Sequence, residues 1–408
     1  MYEIDLENCP SDIKVKKYTY ETTQYKILNC DPNNLLYDSN EGMYRSVIVS
    51  EPENKVLSFS HPRSLPLESF QSKYPDIGST KIHVNEIVEG TMTQLFYDSR
   101  IRSWQIATKG AIGGNYWFYR TIYPTSGIHG EKQKSFREMF LDVFPPLETF
   151  YHFPKEYCYQ FILQHPDNHI VLNLEKPSLY LVGVYEIAGK VVTTVYPTEY
   201  ETWDCFKEEN INIKFPQKFT ENSYELLIEN WCSRNSDYRI VGCMLTHLET
   251  GERASIENPV YREVRELRGN HPNLQYQYLS LRRIDKVQEF LRYFPQYKKI
   301  FYRFYKQYCD FLTNLHQSYL TYYIQKRGIK ISKKYFPLVY RIHHIVYLPS
   351  LNTGEKKIMR MSEIAKFLKE MEPSELIYYL NYHLEDNLED MRIMNKEHNN
   401  DIAREIVV

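Results

Sequence analysis

The chain has 408 residues, 42% of them apolar and 25% charged, with a net charge of -2. That length holds two domains or one large domain with an appendage, and the near-neutral balance leaves no global charge to force nucleic-acid or membrane binding. No run approaches ~18 consecutive apolar residues, so no membrane span is expected, and the opening MYEIDLENCPSD lacks the basic and apolar regions of a secretory signal.

Seven cysteines, an odd number scattered without a CxxC pair, read as reduced intracellular thiols rather than a disulfide or zinc framework. Tyrosine is abundant, at 37 residues. It suits strands and interfaces because its ring buries while its hydroxyl stays wet.

Residues 1–40 are polar and rich in Asn and Asp, and read as an N-terminal extension with short strand-like runs such as 25–28. YRSVIVS (44–50) and residues 55–59 read as strands across an EPEN turn, followed by the proline-punctuated HPRSLPLESF. In 84–115, VNEIVEGTMTQLFYDSRIRSWQIATKGAIGGN, alternation breaks at Gly90 and resumes at Met92, which reads as a strand, a tight turn and a second strand. Gly110, Gly113 and Gly114 let the backbone pass close to a neighbour, either a phosphate or another part of the turn itself.

SFREMFLDV (135–143) has helical spacing and stops at Pro145-Pro146. Residues 157–163 and 169–174 read as strands around HPDN, a hairpin turn, and LYLVGVYEI (179–187) as an apolar strand. Residues 201–233 are polar and helix-leaning and read as an inserted or peripheral element, while 239–248 and 253–256 make a hairpin across ETGE. From about Pro272 the texture changes: 281–323 is helical in period, dense in Tyr, Phe, Lys and Arg, and interrupted at Pro295. Helices follow at 362–370 and 374–383, the second capped by Ser374, and the last twenty or so residues read as a charged, frayed tail.

The order and spacing of five of these blocks, over roughly residues 40–268, resemble the covalent nucleotidyltransferases, and most closely the phage-type RNA ligases. In that family a nucleophilic lysine opens a Lys-x-Asp/Glu-Gly pattern. Glu89-Gly90 matches the acid and glycine, Thr91 takes the place of the usual serine, and the lysine position is Ile87. Arg45 matches the arginine of an upstream strand, and a phosphate-contacting lysine of the next segment aligns with Leu65. Tyr159-Gln160-Phe161 matches an aromatic-Glu-Phe strand, with Gln160 where the ribose-binding glutamate belongs. Val241-Gly242 replaces Glu-Gly, and Ser255 and Glu257 stand where two lysines are expected. Lys109 matches a lysine that faces the nucleotide.

The resemblance implies an α+β fold. A nucleotidyltransferase domain of ATP-grasp-like RNA-ligase type spans 41–268, with antiparallel sheets around a cleft, and a helical basic and aromatic domain spans 269–400. Nucleotide contacts are expected from Arg45, Glu89, Gly90, Lys109 and Gln160, with ATP and Mg as the cofactors of any retained activity or binding.

Covalent nucleotidyl transfer needs an amine to attack the α-phosphate, carboxylates to place metal ions and cations to neutralise phosphate. Ile87 has no lone pair, Gln160 brings no charge to a metal site, Val241 is no side-chain ligand, and Glu257 repels a triphosphate. Four losses in register point to a degenerate site with no catalytic residue and no metal ligands. Lys81 and Lys109 are the nearest substitutes for the nucleophile. Lys81 lies six residues before Ile87, some ~20 Å along a strand, which leaves Lys109.

Residues 281–344 carry fourteen Lys and Arg against three acids, interleaved with aromatics from Tyr293 to Tyr308. Arg292, Lys298, Lys299, Arg303 and Lys306 on such a surface can track a phosphate backbone while rings stack bases. A solvated basic face over an aromatic core stripe explains the same pattern. His343-His344 and His165 with His169 lack converging partners for a metal.

Scarce Ala beside abundant Tyr, Asn, Ile and Lys suggests an A/T-rich genome, and with the resemblance a large DNA virus as source. Three readings follow. The first is a pseudoenzyme that keeps RNA or nucleotide binding, and the second an active RNA ligase or capping-type enzyme with a displaced lysine. The third is a structural or virion assembly protein that binds other viral proteins. All three place the chain in the host cytoplasm or virion, away from membranes.

Overall fold

Alternating apolar residues build strands, and these pair into three sheets in a computed structural model that describes residues 1–6, 12–30, 40–116, 134–144, 147–168, 170–206, 213–271, 273–325, 330–352 and 358–382. Cys9, His169, Lys326, Arg327 and the charged tail lie outside the described residues. The chain divides into two units, Met1–Arg268 and Gly269–Val408.

The strands of the first unit are β1 (Tyr2–Glu3), β2 (Ile13–Tyr20), β3 (Thr23–Cys30), β4 (Arg45–Glu51), β5 (Val56–Ser58), β6 (Ile82–Glu86), β7 (Thr91–Asp98) and β8 (Ser103–Thr108). They continue as β9 (Ala111–Ile112), β10 (Tyr157–Gln164), β11 (Ser178–Ala188), β12 (Val191–Val195), β13 (Ile213–Lys214), β14 (Gly242–His247) and β15 (Arg253–Glu257). The large sheet runs β1-β12-β11-β10-β7-β8-β9, with β13 on β11; the others run β2-β3-β4-β5 and β15-β14-β6.

One face of the large sheet packs Leu95, Tyr159, Phe161, Leu181 and Val184 on the short helix Phe136–Val143. The other face meets the four-stranded sheet through Phe96, Cys158, Tyr185, Ile27, Ile48 and Phe59. A third core lies between the three-stranded sheet and helices at Leu67–Lys73 and Tyr224–Trp231.

Four features differ from expectation. Residues 1–40 do not form a mere extension, since β2 and β3 complete one sheet and β1 edges another. Residues 84–98 are no hairpin: β6 pairs with β14 and β7 with β10 and β8, so the chain crosses between sheets at Ile87–Gly90. No strand forms over the described part of 169–174, because the amides of Val171 and Leu172 donate to the Glu89 carboxylate instead of a ladder. The last helix, Pro373–Leu380, starts with Pro373 in its first turn and Glu372 at the cap position, so Ser374 is inside it.

In the second unit the longest described helix, Lys298–Tyr319, buries Phe301, Tyr308, Leu312, Leu315 and Tyr319 at helical spacing. No described helix is long and apolar enough to cross a membrane.

Candidate functional site

The crossing at Ile87–Gly90 fixes the site. The Ile87 amide donates to the Gly242 carbonyl at 2.9 Å, which joins the crossing to the start of β14. Glu89 turns inward and is 5% exposed. Its carboxylate accepts from the amides of Val171 (3.0 and 3.1 Å) and Leu172 (2.9 Å) and from the Tyr261 hydroxyl (2.8 Å). Burial, and then the Glu89 charge, push the Tyr261 phenol up. Gly90 has φ +154°, and a Cβ there would stand 2.5 Å from the Leu163 carbonyl oxygen. Glu89 and Gly90 thus lock the crossing onto β10, and the acid faces protein donors.

A cavity of about 190 Å³ opens beside the crossing. Ile87, Val88, Tyr180, Phe219, Trp231 and Val241 supply its apolar wall, and Glu86, Gln164 and Gln217 its polar one. Ile87 and Val241 therefore share one pocket, and neither offers a nucleophile or a metal ligand.

Along β11 a bulge at Val182 breaks the register between Gln160 and Phe161, so Leu181 and Val184 both enter the core below. The carbonyl this frees accepts from His61 Nε2 at 2.8 Å. The Tyr185 hydroxyl donates to His61 Nδ1, which fixes the neutral tautomer. The ring lies against Gly183, where a Cβ would sit 2.0 Å from Cε1. Burial, with Arg253 and Arg45 nearby, pushes the His61 imidazole well below its ordinary value.

Around His61 cations gather. Arg45 opens β4 and Arg253 opens β15, both half-buried. Burial lowers each guanidinium, with Arg63 acting on Arg45 and Arg45 on Arg253. Lys109, in the exposed turn between β8 and β9, is lowered by burial, then by Arg45 and Arg63. Among the described residues no carboxylate pairs with Arg45, Lys109 or Arg253. Like charges held together in a half-buried place are costly unless an anion joins them. The cluster is chemically suited to phosphate.

The structure thus brings Arg45 and Lys109 within electrostatic reach, and adds Arg63, Arg253 and His61, which the sequence pattern does not single out. Arg253 lies two residues before Ser255 on the same face of β15, a spacing that the sequence carries. His61 has no such signal, because its place depends on the bulge. Leu65 instead donates its amide to the Arg253 carbonyl at 2.7 Å, with its side chain against the third core.

The remaining positions sit as follows. Gln160 is fully buried; its amide donates to the Phe59 carbonyl at 2.6 Å and its Oε1 has no partner. Ser255 is exposed on β15. Glu257 accepts from Arg262 at 2.7 Å, which cancels its charge. Divalent metal needs converging carboxylates. Glu89 and Glu257 are engaged within the protein, and no group of three or more described His, Cys, Asp or Glu is arranged around a metal position. Among the described residues the donor set does not fit a metal ion.

In the second unit, Lys298, Lys299, Tyr302, Arg303, Tyr305 and Lys306 share the outer face of the long helix, and Arg292 is exposed on the helix before it. Tyr302 is 66% exposed and Tyr305 48%, so not all the aromatics serve the core. Among the described residues none of these cations forms an ion pair.

No family model matches the chain. An RNA ligase of Rhodothermus phage RM378 is 32% identical over 152 residues, 36% of this chain and 33% of that protein. The immediate-early protein ICP-46 homolog of Invertebrate iridescent virus 6 is 24% identical over 156 residues, 37% of this chain and 32% of that one. The chain spans about a third of the length of these curated relatives, both viral. Among solved structures, an archaeal ATP-dependent RNA ligase superposes with a TM-score of 0.42 at 11% identity, covering 87% of this chain and 82% of that one.

Proposed function

We propose that this chain, an RNA-ligase-like nucleotidyltransferase, binds the phosphates of a nucleotide or RNA without forming a covalent adenylate. Ile87 carries the proposal. It stands where the resemblance puts the attacking lysine, it lines the cavity at the crossing, and its backbone is tied to Gly242. An alkyl group cannot form a phosphoramidate.

Binding is supported by the unpaired cations. Arg45 and Arg253 present fixed guanidinium forks that match phosphate geometry, and Lys109 adds a mobile charge. Neutral His61 acts as a spacer that holds Tyr185 and the bulge in place. Calorimetric titration with ATP, inorganic pyrophosphate and adenosine tests this. Both phosphate-bearing ligands should bind and adenosine should not. Arg45→Ala or Arg253→Ala should weaken binding about 10- to 100-fold, the worth of one charge-assisted hydrogen bond. Failure of the folded protein to bind either phosphate ligand would overturn the proposal.

Lys109 favours a second reading, an active ligase with a displaced nucleophile. Burial and two arginines push its amine toward the neutral form that attack requires. Lys109→Arg keeps the charge and removes the nucleophile, so it should abolish adenylylation if that reading holds.

A further inference from the structure

Behind the cavity wall two thiols touch. Cys232 follows the helix Tyr224–Trp231 as its C-cap, and Cys243 lies on β14; their sulfurs are 3.6 Å apart and both residues are buried. Both lie in the first unit, on elements that share one core. We propose that Cys232 and Cys243 are a reversible oxidation site, which peroxide converts to a disulfide.

The chemistry balances. The Cys232 thiolate attacks the O–O bond of hydrogen peroxide and leaves as a sulfenic acid, with the displaced hydroxide taking the released proton as water. The Cys243 sulfur then attacks the Cys232 sulfur, the S–O bond breaks, and hydroxide departs with the Cys243 proton as a second water. Two thiols are oxidised and one peroxide is reduced. The sulfurs need to close from 3.6 Å to about 2.05 Å. The hydrogen bond between the sulfurs lowers the Cys232 thiol and raises that of Cys243, which favours ionisation of one of the two.

The bond has a place to act. Trp231 precedes Cys232 and lines the cavity, Val241 lies two residues before Cys243, and Cys243 pairs with Glu86 on β6, next to Ile87. A disulfide therefore ties two segments of the same wall together.

The test uses the full chain, treated with hydrogen peroxide, quenched with N-ethylmaleimide and digested with trypsin without reduction. Cleavage after Lys218, Arg234, Arg239 and Arg253 puts the two cysteines in separate peptides, 219–234 and 240–253. We expect these two linked, the link broken by reduction, and an upward shift of the oxidised protein's melting temperature. Cys232→Ser and Cys243→Ser should each remove the linked species, and the wild-type peptide map decides the matter even if a variant misfolds. Recovery of both peptides alkylated after other cysteines have been oxidised would overturn the proposal, as would either cysteine pairing elsewhere.

Discussion

Glu89 shows how one residue can match a motif and do other work. Sequence pattern places it beside a nucleotide, yet three protein donors converge on its carboxylate. Tyr261→Phe removes one of them and should cost about 1.5–3 kcal/mol by urea denaturation, the usual range for a hydrogen bond to a charged group. No spacing in the sequence announces this, because Glu89 and Tyr261 are 172 residues apart. Ile87, Gln160 and Val241 are legible as substitutions, since each is a change of residue type within an ordered block.

His61 sets a pH dependence. Its folded pKa lies below the unfolded one near 6.5, so its contribution is fully present above about pH 6.5 and is lost as pH falls, when the unfolded chain takes the proton first. Stability measured by urea at pH 7.5 and 5.5 should fall across this window, and His61→Gln should flatten the fall.

Among elements, those governed by local chemistry are readable from sequence. The helix at Phe136–Val143 begins with a capping box, Ser135 accepting from the Glu138 amide while Glu138 accepts from the Ser135 amide. Ser135→Ala should cost about 1 kcal/mol, read from thermal or urea unfolding. Elements set by distant partners are not readable in this way. The 84–98 segment reads as a hairpin because its alternation is the same whichever strand pairs with it, and pairing with β14 on one edge and residues 217–219 on the other draws β6 away from β7. Gly90→Ala should lower stability by at least about 1–3 kcal/mol through strained backbone alone, with the clash against the Leu163 carbonyl added.

For the whole molecule, the antiparallel sheets and the helical second unit follow from hydrophobic period. The basic face of Lys298–Tyr319 cannot be read from charge totals, because the chain is near neutral overall. If that face tracks single-stranded RNA, binding must weaken with salt. Reversing Lys298, Lys299, Arg303 and Lys306 to Glu should flatten the slope of log K against log salt by roughly 0.7 for each phosphate that is no longer neutralised. An unchanged slope in the folded variant means that RNA binds on another surface.

On the proposed function, nucleotide binding here is separated from covalent transfer. Incubation with α-labelled ATP and magnesium or manganese, followed by denaturing electrophoresis, tests it most directly. The folded wild-type chain should carry no label at all. Label that stays on the protein and is released by acid means that a phosphoramidate has formed, which contradicts Ile87 as the end of the chemistry and makes Lys109 the nucleophile to examine.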